Sequence, residues 1–366
     1  MRSYSDLPLD IIENIIGRLR LIDRIRIRGV CKDWSVLSCE IPSVDKYPWA
    51  MTSFWWYPYP YPYNDVIYVE CKLSDPPVSK QYAVEGALRG KEFFGSAWPR
   101  ASSYGWLLFE HNNFSSSVMF LYCPFTREVI NLPELKKYIP GATFSLDATS
   151  PKCVIFTLGY SRGKKIRINI CCPGDKSWKT FKFMSGFEKY NNPPVEAAYG
   201  NGIFYCVSTR GELGAFNVGL GEWTVLSNLK GVPSFEFDFV NLIASDGNLQ
   251  LIGWRHTFSE ENYLKILKFD FSEKHWVEER NLEDRVLFTG CTSFSCPALG
   301  VGEISELANH VLPCGDKAIR YGGSTSSSNS QHYHNWVETA RNAKAWIEVP
   351  IRRLWTANDL INAALL

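Results

Sequence analysis

Lys165-Ile166-Arg167-Ile168-Asn169-Ile170, followed after a short gap by Ser177-Trp178-Lys179, is the stretch that decides the fold of most of this chain. Isoleucine at every second position is the period of a strand with one apolar face. Just before it, Gly159-Tyr160-Ser161-Arg162-Gly163 supplies turn residues, and a short apolar run at 154–158 lies upstream of the turn. The segment reads as two strands joined by a hairpin, then a third strand centred on tryptophan.

The same arrangement recurs. Leu213-x-Ala215-Phe216-Asn217 leads to Glu222-Trp223-Thr224, and Ile266-Leu267-x-Phe269-Asp270 leads to Lys274-His275-Trp276. Trp178, Trp223 and Trp276 are spaced by 45 and 53 residues, a period that suits propeller blades better than one sandwich. Further candidate strands lie at 66–71, 105–109, 119–123, 166–171, 202–208, 249–253 and 264–271. Roughly 320 residues at about 45–50 per blade predict six or seven blades. A pair of β-sandwiches is the alternative. Aromatic residues make up 14% of the chain, which favours strands and broad contact surfaces.

Residues 7–37 follow a different period. Ile11, Ile12, Ile15, Ile16 and Leu19 mark one face of a helix. Pro8 suits a first helical position, and Asp10 suits the positive end of the helix dipole. A second helical stretch runs through Ile22, Ile25, Ile27, Val30, Trp34 and Leu37. Two or three short helices have too little core to stand comfortably alone, so surplus apolar surface on them calls for a partner. Arg18, Arg20, Arg24, Arg26 and Arg28 read as the solvated face of these helices rather than a phosphate-binding patch.

Leu7-Pro8-x-Asp10-Ile11-Ile12-x-x-Ile15-Ile16-x-x-Leu19, then Asp23-x-x-Arg26-x-Arg28-x-Val30-Cys31-Lys32-x-Trp34, resembles an F-box. Arg20 and Arg24 depart from the family's usual proline and apolar residue. The later chain also carries a family look. Tyr47-Pro48-Trp49-Ala50-Met51, Gly95-Ser96, Ser103-Tyr104-Gly105-Trp106-Leu107, Cys123-Pro124-Phe125-Thr126 with Leu132-Pro133, and Tyr199-Gly200-x-Gly202-Ile203-Phe204-Tyr205 contribute to it. Together they resemble the plant F-box family whose C-terminal part is called domain of unknown function 295.

The resemblance implies an α+β multi-domain chain: a small three-helix F-box over residues 1–45, then an all-β propeller-like receptor domain over 46–366. It implies docking on a Skp-type adaptor, and through it on cullin and RING subunits, as the substrate-recognition subunit of an SCF-type ubiquitin ligase. The adaptor-facing or interface-supporting residues carried over are Leu7, Pro8, Ile12, Ile15, Val30, Cys31 and Trp34. The target protein is left open. The alternative is an F-box-derived protein that regulates a partner by binding it, outside the ligase.

Composition agrees with a binding role. Lys plus Arg number 39 and Asp plus Glu 38, a net charge of +1, so neither nucleic acid nor an anionic membrane is expected as a partner. Eleven cysteines, an odd number set mostly in apolar runs, suit buried thiols in a reducing compartment. The N-terminus has no signal-peptide pattern, and no apolar run is long enough to span a bilayer. The expected location is therefore intracellular, nuclear or cytoplasmic. Tyr57-Pro58-Tyr59-Pro60-Tyr61-Pro62-Tyr63 reads as a stiff inter-strand loop, and the Gly- and Ser-rich stretch near 322–334 as a flexible loop.

No catalytic residue or cofactor is expected. Gly159–Gly163 matches the Gly-x-Ser-x-Gly string of a nucleophile elbow, but such an elbow needs a helix after Ser161 and a strand follows instead. Cys291 with Cys296, adjacent Cys171 and Cys172, and His332 with His334 lack zinc-site spacing.

Overall fold

In a computed structural model of the chain, the structure describes residues 7–19, 23, 47–55, 69–78, 80–84, 97–113, 116–126, 128–135, 140–161, 165–187, 194–227, 237–245, 247–255, 263–291, 293–298, 304–315, 319–321 and 331–347. Helix α1 (Leu9–Arg18) begins the chain. Blade 1 of a ring holds β1 (Trp49–Trp55), β2 (Val69–Asp75) and β3 (Lys80–Val84). Blade 2 holds β4 (Trp98–Ser103), β5 (Trp106–Asn113), β6 (Ser116–Cys123) and β7 (Glu128–Asn131). Blade 3 holds β8 (Gly141–Phe144), β9 (Ile155–Ser161), β10 (Lys165–Cys171) and β11 (Lys179–Met184). Blade 4 holds β12 (Pro194–Gly200), β13 (Ile203–Ser208), β14 (Leu213–Asn217) and β15 (Glu222–Ser227). Blade 5 holds β16 (Phe239–Ser245), β17 (Asn248–Arg255), β18 (Tyr263–Asp270) and β19 (His275–Glu278). Blade 6 holds β20 (Arg285–Thr289), β21 (Phe294–Pro297), β22 (His310–Pro313) and β23 (Ile319–Arg320). Helix α2 (Gln331–Asn342) and β24 (Ala345–Ile347) follow.

Among the described residues there are six four-stranded sheets, which make a six-bladed β-propeller, at the lower of the two counts the tryptophan spacing allows. The innermost strands are β24, β4, β8, β12, β16 and β21, and neighbours among them are in contact from β24 through β4, β8, β12 and β16 to β21. The ring is closed by the C-terminal strand. β24 pairs antiparallel with β1, Trp49 opposite Ile347 and Met51 opposite Ala345, and so becomes the inner strand of the first blade. Helix α2 runs along the seam. Asn335 Nδ2 donates to the Pro77 carbonyl, the Gly315 N–H donates to Ala340, and the Lys344 N–H donates to Met51. The stretch expected as a loop near 322–334 thus enters a helix at Gln331, while 322–330 lies outside the described residues, as does the tyrosine-proline stretch 57–63.

Blades 2 to 5 are antiparallel meanders, but blade 6 is not. Its first strand in sequence, β20, takes the second position, flanked inside by antiparallel β21 and outside by parallel β22. The two-residue hairpins inside blades 2 and 4 have the mirror-image turns that match strand twist. Tyr104 and Gly105 have φ of 53° and 79°, and Asn201 and Gly202 have 52° and 81°.

The core lies between blades. Ile166, Ile168, Phe156 and Leu158 of blade 3 pack on Ala197, Phe204 and Phe216 of blade 4. Tyr205, Val207 and Leu213 of blade 4 pack on Val240, Leu242 and Leu251 of blade 5. Ile243, Ile252 and Ile266 meet Leu287 and Val311 of blade 6, and the largest cluster joins blade 6, the closing segment and blades 1 to 3. The inner strands run so close that a Cβ placed on Gly200 would stand 2.9 Å from that of Ala244.

Candidate functional site

Two surfaces stand out, one on α1 and one on the propeller. The α1 surface follows directly from its period. Pro8 is the N-cap rather than the first helical residue, with its carbonyl accepting from the Ile11 and Ile12 N–H groups. Asp10 lies in the first turn and Arg18 in the last, each matched to the helix dipole. The isoleucines then divide between two sides. Ile12 and Ile16 are buried, at 4% and 0% exposure, whereas Leu7, Ile11 and Ile15 are 38%, 45% and 37% exposed. Leu7, Ile11 and Ile15 are four apart, so they form one stripe along the helix. Of the residues expected to meet an adaptor, Leu7, Pro8 and Ile15 lie open and Ile12 supports them from beneath. Val30, Cys31 and Trp34 lie outside the described residues. Ile11 was not among the expected set, although its place in the period, one turn from Leu7 and Ile15, marks it.

On the propeller, large apolar side chains are exposed at both ends of the ring: Tyr104, Leu220 and Phe271 at one end, and Trp98, Phe239 and Met184 at the other. The inner strands are all entered from that end. Trp98 opens β4 and Phe239 opens β16, and they are 68% and 61% exposed. Blades 2 and 5 are opposite members of a six-blade ring, so these two side chains flank the mouth from opposite sides. Met184, the last residue of β11, is 59% exposed at the same end. Two residues into β4, Arg100 pairs with the Glu110 carboxylate at 3.3 Å and donates to the Pro140 carbonyl, bridging blades 2 and 3. Two blades on, on the inner strand β12 of blade 4, burial raises the Glu196 carboxyl to about 8 against the opposing pull of Arg100.

Between blades 5 and 6 lies a polar groove lined by Ser245, Asn248, Gln250, Lys268, Glu279 and Arg285 among others. Gln250 Nε2 donates to Glu279 Oε2 at 2.6 Å, and burial pushes the Glu279 carboxyl above its usual range. Its charges are mixed, and Arg285 Nη2 donates to Ser245 Oγ at 3.5 Å within it.

The strings resembling catalytic motifs sit in structural positions. Ser161 ends β9 directly opposite Lys165 of β10, so Gly159, Tyr160 and Ser161 lie on a strand that pairs with the next strand in the chain rather than leading into a helix. No disulfide joins the described cysteines. Burial pushes the Cys153 thiol up to about 11, and raises those of Cys171 and Cys206 further, which keeps them protonated and unreactive. No metal-binding group of His, Cys, Asp and Glu occurs among the described residues, and none of the described helices is long and apolar enough to cross a membrane.

Comparison with known proteins adds to this geometry. The model of the F-box domain matches residues 4–43, and the model of the KIB1-4 beta-propeller matches residues 71–311. F-box/kelch-repeat protein At1g57790 of Arabidopsis thaliana is 30% identical over 294 residues, covering 78% of this chain and 76% of that protein. F-box protein At3g56470 of the same plant is 26% identical over 302 residues, covering 80% and 74%. Among solved structures, TolB from Acinetobacter baumannii is similar over 69% of this chain and 59% of its own, with 14% identity and a TM-score of 0.39. At that level the six-bladed assignment rests on the strand order described above.

Proposed function

The chain belongs to the family of F-box proteins that carry a KIB1-4 β-propeller, and on that footing we propose that it is the substrate-recognition subunit of an SCF-type ubiquitin ligase. The observation that carries this reading is the open stripe of Leu7, Ile11 and Ile15 on a helix whose other apolar side is already buried. A small helical unit with that much apolar surface gains by burying it against another chain. A Skp-type adaptor is the partner, with cullin and RING subunits behind it. Leu7, Pro8, Ile11 and Ile15 make the contact, and Ile12 holds the helix beneath them. Val30, Cys31 and Trp34 complete the contact, as the F-box resemblance implies.

The propeller supplies the receptor. Its exposed Trp98 and Phe239 are the kind of aromatic anchors that dominate protein interfaces, and we place the target at that end of the ring. The chain acts by proximity, holding a target lysine near the charged ubiquitin-conjugating enzyme and so raising its effective concentration. The domain boundary lies near residue 45. The resemblance of the propeller to domain of unknown function 295 belongs to the same reading, with a plant source and a nuclear or cytoplasmic site of action.

Reconstitution tests the proposal. Full-length protein is mixed with a plant Skp-type adaptor, cullin and RING subunit, beside a Leu7→Ala/Pro8→Ala variant. Co-elution of the wild type with all three subunits, and loss of co-elution in the variant, is the expected result. A wild-type chain that elutes alone overturns it and leaves a binding protein that acts outside the ligase.

A further inference from the structure

We infer that the mouth of the ring selects a target segment that presents a lysine or arginine side chain, with the Glu196 carboxylate as its counter-charge. The inference rests on the placement of the target at that end of the ring, and names the chemistry the target carries there.

Geometry comes first. Arg100 is the third residue of β4 and Glu196 the third of β12, so both stand just inside the entered ends of the inner strands. They act on each other although blade 3 lies between their strands. Arg100 is already committed, to the Glu110 carboxylate and the Pro140 carbonyl. Glu110 in turn accepts from Ser117 Oγ at 2.8 Å. Glu196 is held differently. It is half-buried, its oxygens are reached by solvent, and it makes no hydrogen bond or ion pair among the described residues.

Charge follows from the same strands. Among the described residues, the inner strands and the positions just before them carry Arg100 and Lys344 against Glu196 and Asp238. With Arg100 matched by Glu110, an ionised Glu196 leaves the mouth with a surplus negative charge. In the free chain a proton removes it, because burial raises the Glu196 carboxyl to about 8. In the complex a cationic side chain takes that role and the proton leaves. The rim decides which cation enters. Trp98 and Phe239 are largely exposed there. A lysine or arginine lays its apolar stem along such a surface while its charged end reaches inward, and aromatic faces attract cations. A metal ion has no apolar stem, and no metal-binding group of His, Cys, Asp and Glu occurs among the described residues.

The test selects a histidine-free random heptapeptide pool, displayed on phage, against the full chain, Glu196→Gln and Trp98→Ala/Phe239→Ala. The wild type should enrich Lys or Arg at one position at least about threefold over the starting pool. Glu196→Gln should keep the apolar preference and lose the basic one, and the double variant should lose both. Anisotropy with the most enriched wild-type peptide then follows pH. The groups acting on Glu196 are Arg100 from β4 and the Cys206 thiol from β13, which burial keeps protonated. Affinity should therefore rise about tenfold or more from pH 6 to pH 8 in the wild type, and change less than about twofold in Glu196→Gln. No basic enrichment by the wild type, or equal enrichment by Glu196→Gln, overturns the inference. If Trp98→Ala/Phe239→Ala still abolishes selection in that case, the mouth stands as the target site. A pool that the double variant leaves unchanged, or no selection by the wild type, overturns both.

Discussion

The indole Nε1 of Trp276 donates a hydrogen bond to the carbonyl of Gly211, 65 residues earlier in the chain, at 2.7 Å. The bond crosses from the outer strand of blade 5 to a turn of blade 4. Trp223 does the same between blades 4 and 3, through the Ser185 carbonyl, and Trp178 between blades 3 and 2, through Pro133. The repeated tryptophan is therefore a tie between successive blades. Trp276→Phe keeps most of the packing against Phe269 but leaves the Gly211 carbonyl without its donor, so it should cost about 1–3 kcal/mol. Urea unfolding of the propeller, followed by far-ultraviolet circular dichroism, measures it.

Gly214 faces the ring of Trp223 so closely that an added Cβ would stand 2.1 Å from the indole. Gly214→Ala should displace the ring and lower stability by about 1–3 kcal/mol. Loss of the Trp223–Ser185 bond would accompany it, visible as a shift in tryptophan fluorescence. An unchanged spectrum and stability would mean that the ring sits elsewhere.

Closure of the ring rests on a short strand. Trp346 of β24 is fully buried, packs edge-on against Phe288, and donates to the Leu312 carbonyl of blade 6 at 3.1 Å. Trp346→Ala should cost about 3–5 kcal/mol. Limited proteolysis should then cut first near the seam between blades 6 and 1, and cleavage spread evenly over the blades would contradict this.

Glu196 gives a pH dependence with a definite sign. Its carboxyl rises from 4.5 to about 8 in the fold, first because burial disfavours the charge, with Arg100 pulling it back. The folded chain therefore holds this proton more tightly than the unfolded one, so stability falls as pH rises between those two values. Glu279 shifts in the same direction. Melting temperatures between pH 5 and pH 8 should fall more steeply for the wild type than for Glu196→Gln. Parallel slopes would remove Glu196 from the account.

Gly17 lies within α1, and a Cβ placed there meets nothing within 4 Å among the described residues. Gly17→Ala should therefore stabilise the helix by about 1 kcal/mol. Thermal unfolding of the wild type and variant checks the direction.

How much of this was legible in the sequence depends on where each strand sits. The apolar runs at 105–109, 119–123, 154–158, 166–171, 202–208, 249–253 and 264–271 fall on β5, β6, β9, β10, β13, β17 and β18, none passing the end of its strand by more than a residue, and of the run at 66–71 the described part, 69–71, lies on β2. These are second or third strands of their blades, paired on both sides and packed on both faces, so their sequences are continuously apolar. The inner strands escaped notice because they face the middle of the ring. They carry Pro99 and Arg100, Gly141, Pro194 and Glu196, and β4 and β12 are interrupted by bulges. Proline and bulges suit a strand with one open edge and disguise it as a turn. The closing strand has three residues, too few for any period. On α1, five apolar residues marked the buried helix but not which of them pack inward. That division, Ile12 and Ile16 inside against Ile11 and Ile15 outside, came only with the fold.

The central claim is that the outer stripe of α1 docks an adaptor. Isothermal titration of a plant Skp-type adaptor into the full-length chain tests it most directly, with Ile11→Asp/Ile15→Asp as the variant and circular dichroism to verify folding. Wild-type binding, with affinity lost by at least about a hundredfold in a variant that stays folded, is the predicted result. Equal affinity for both chains, or no heat from either, would contradict it.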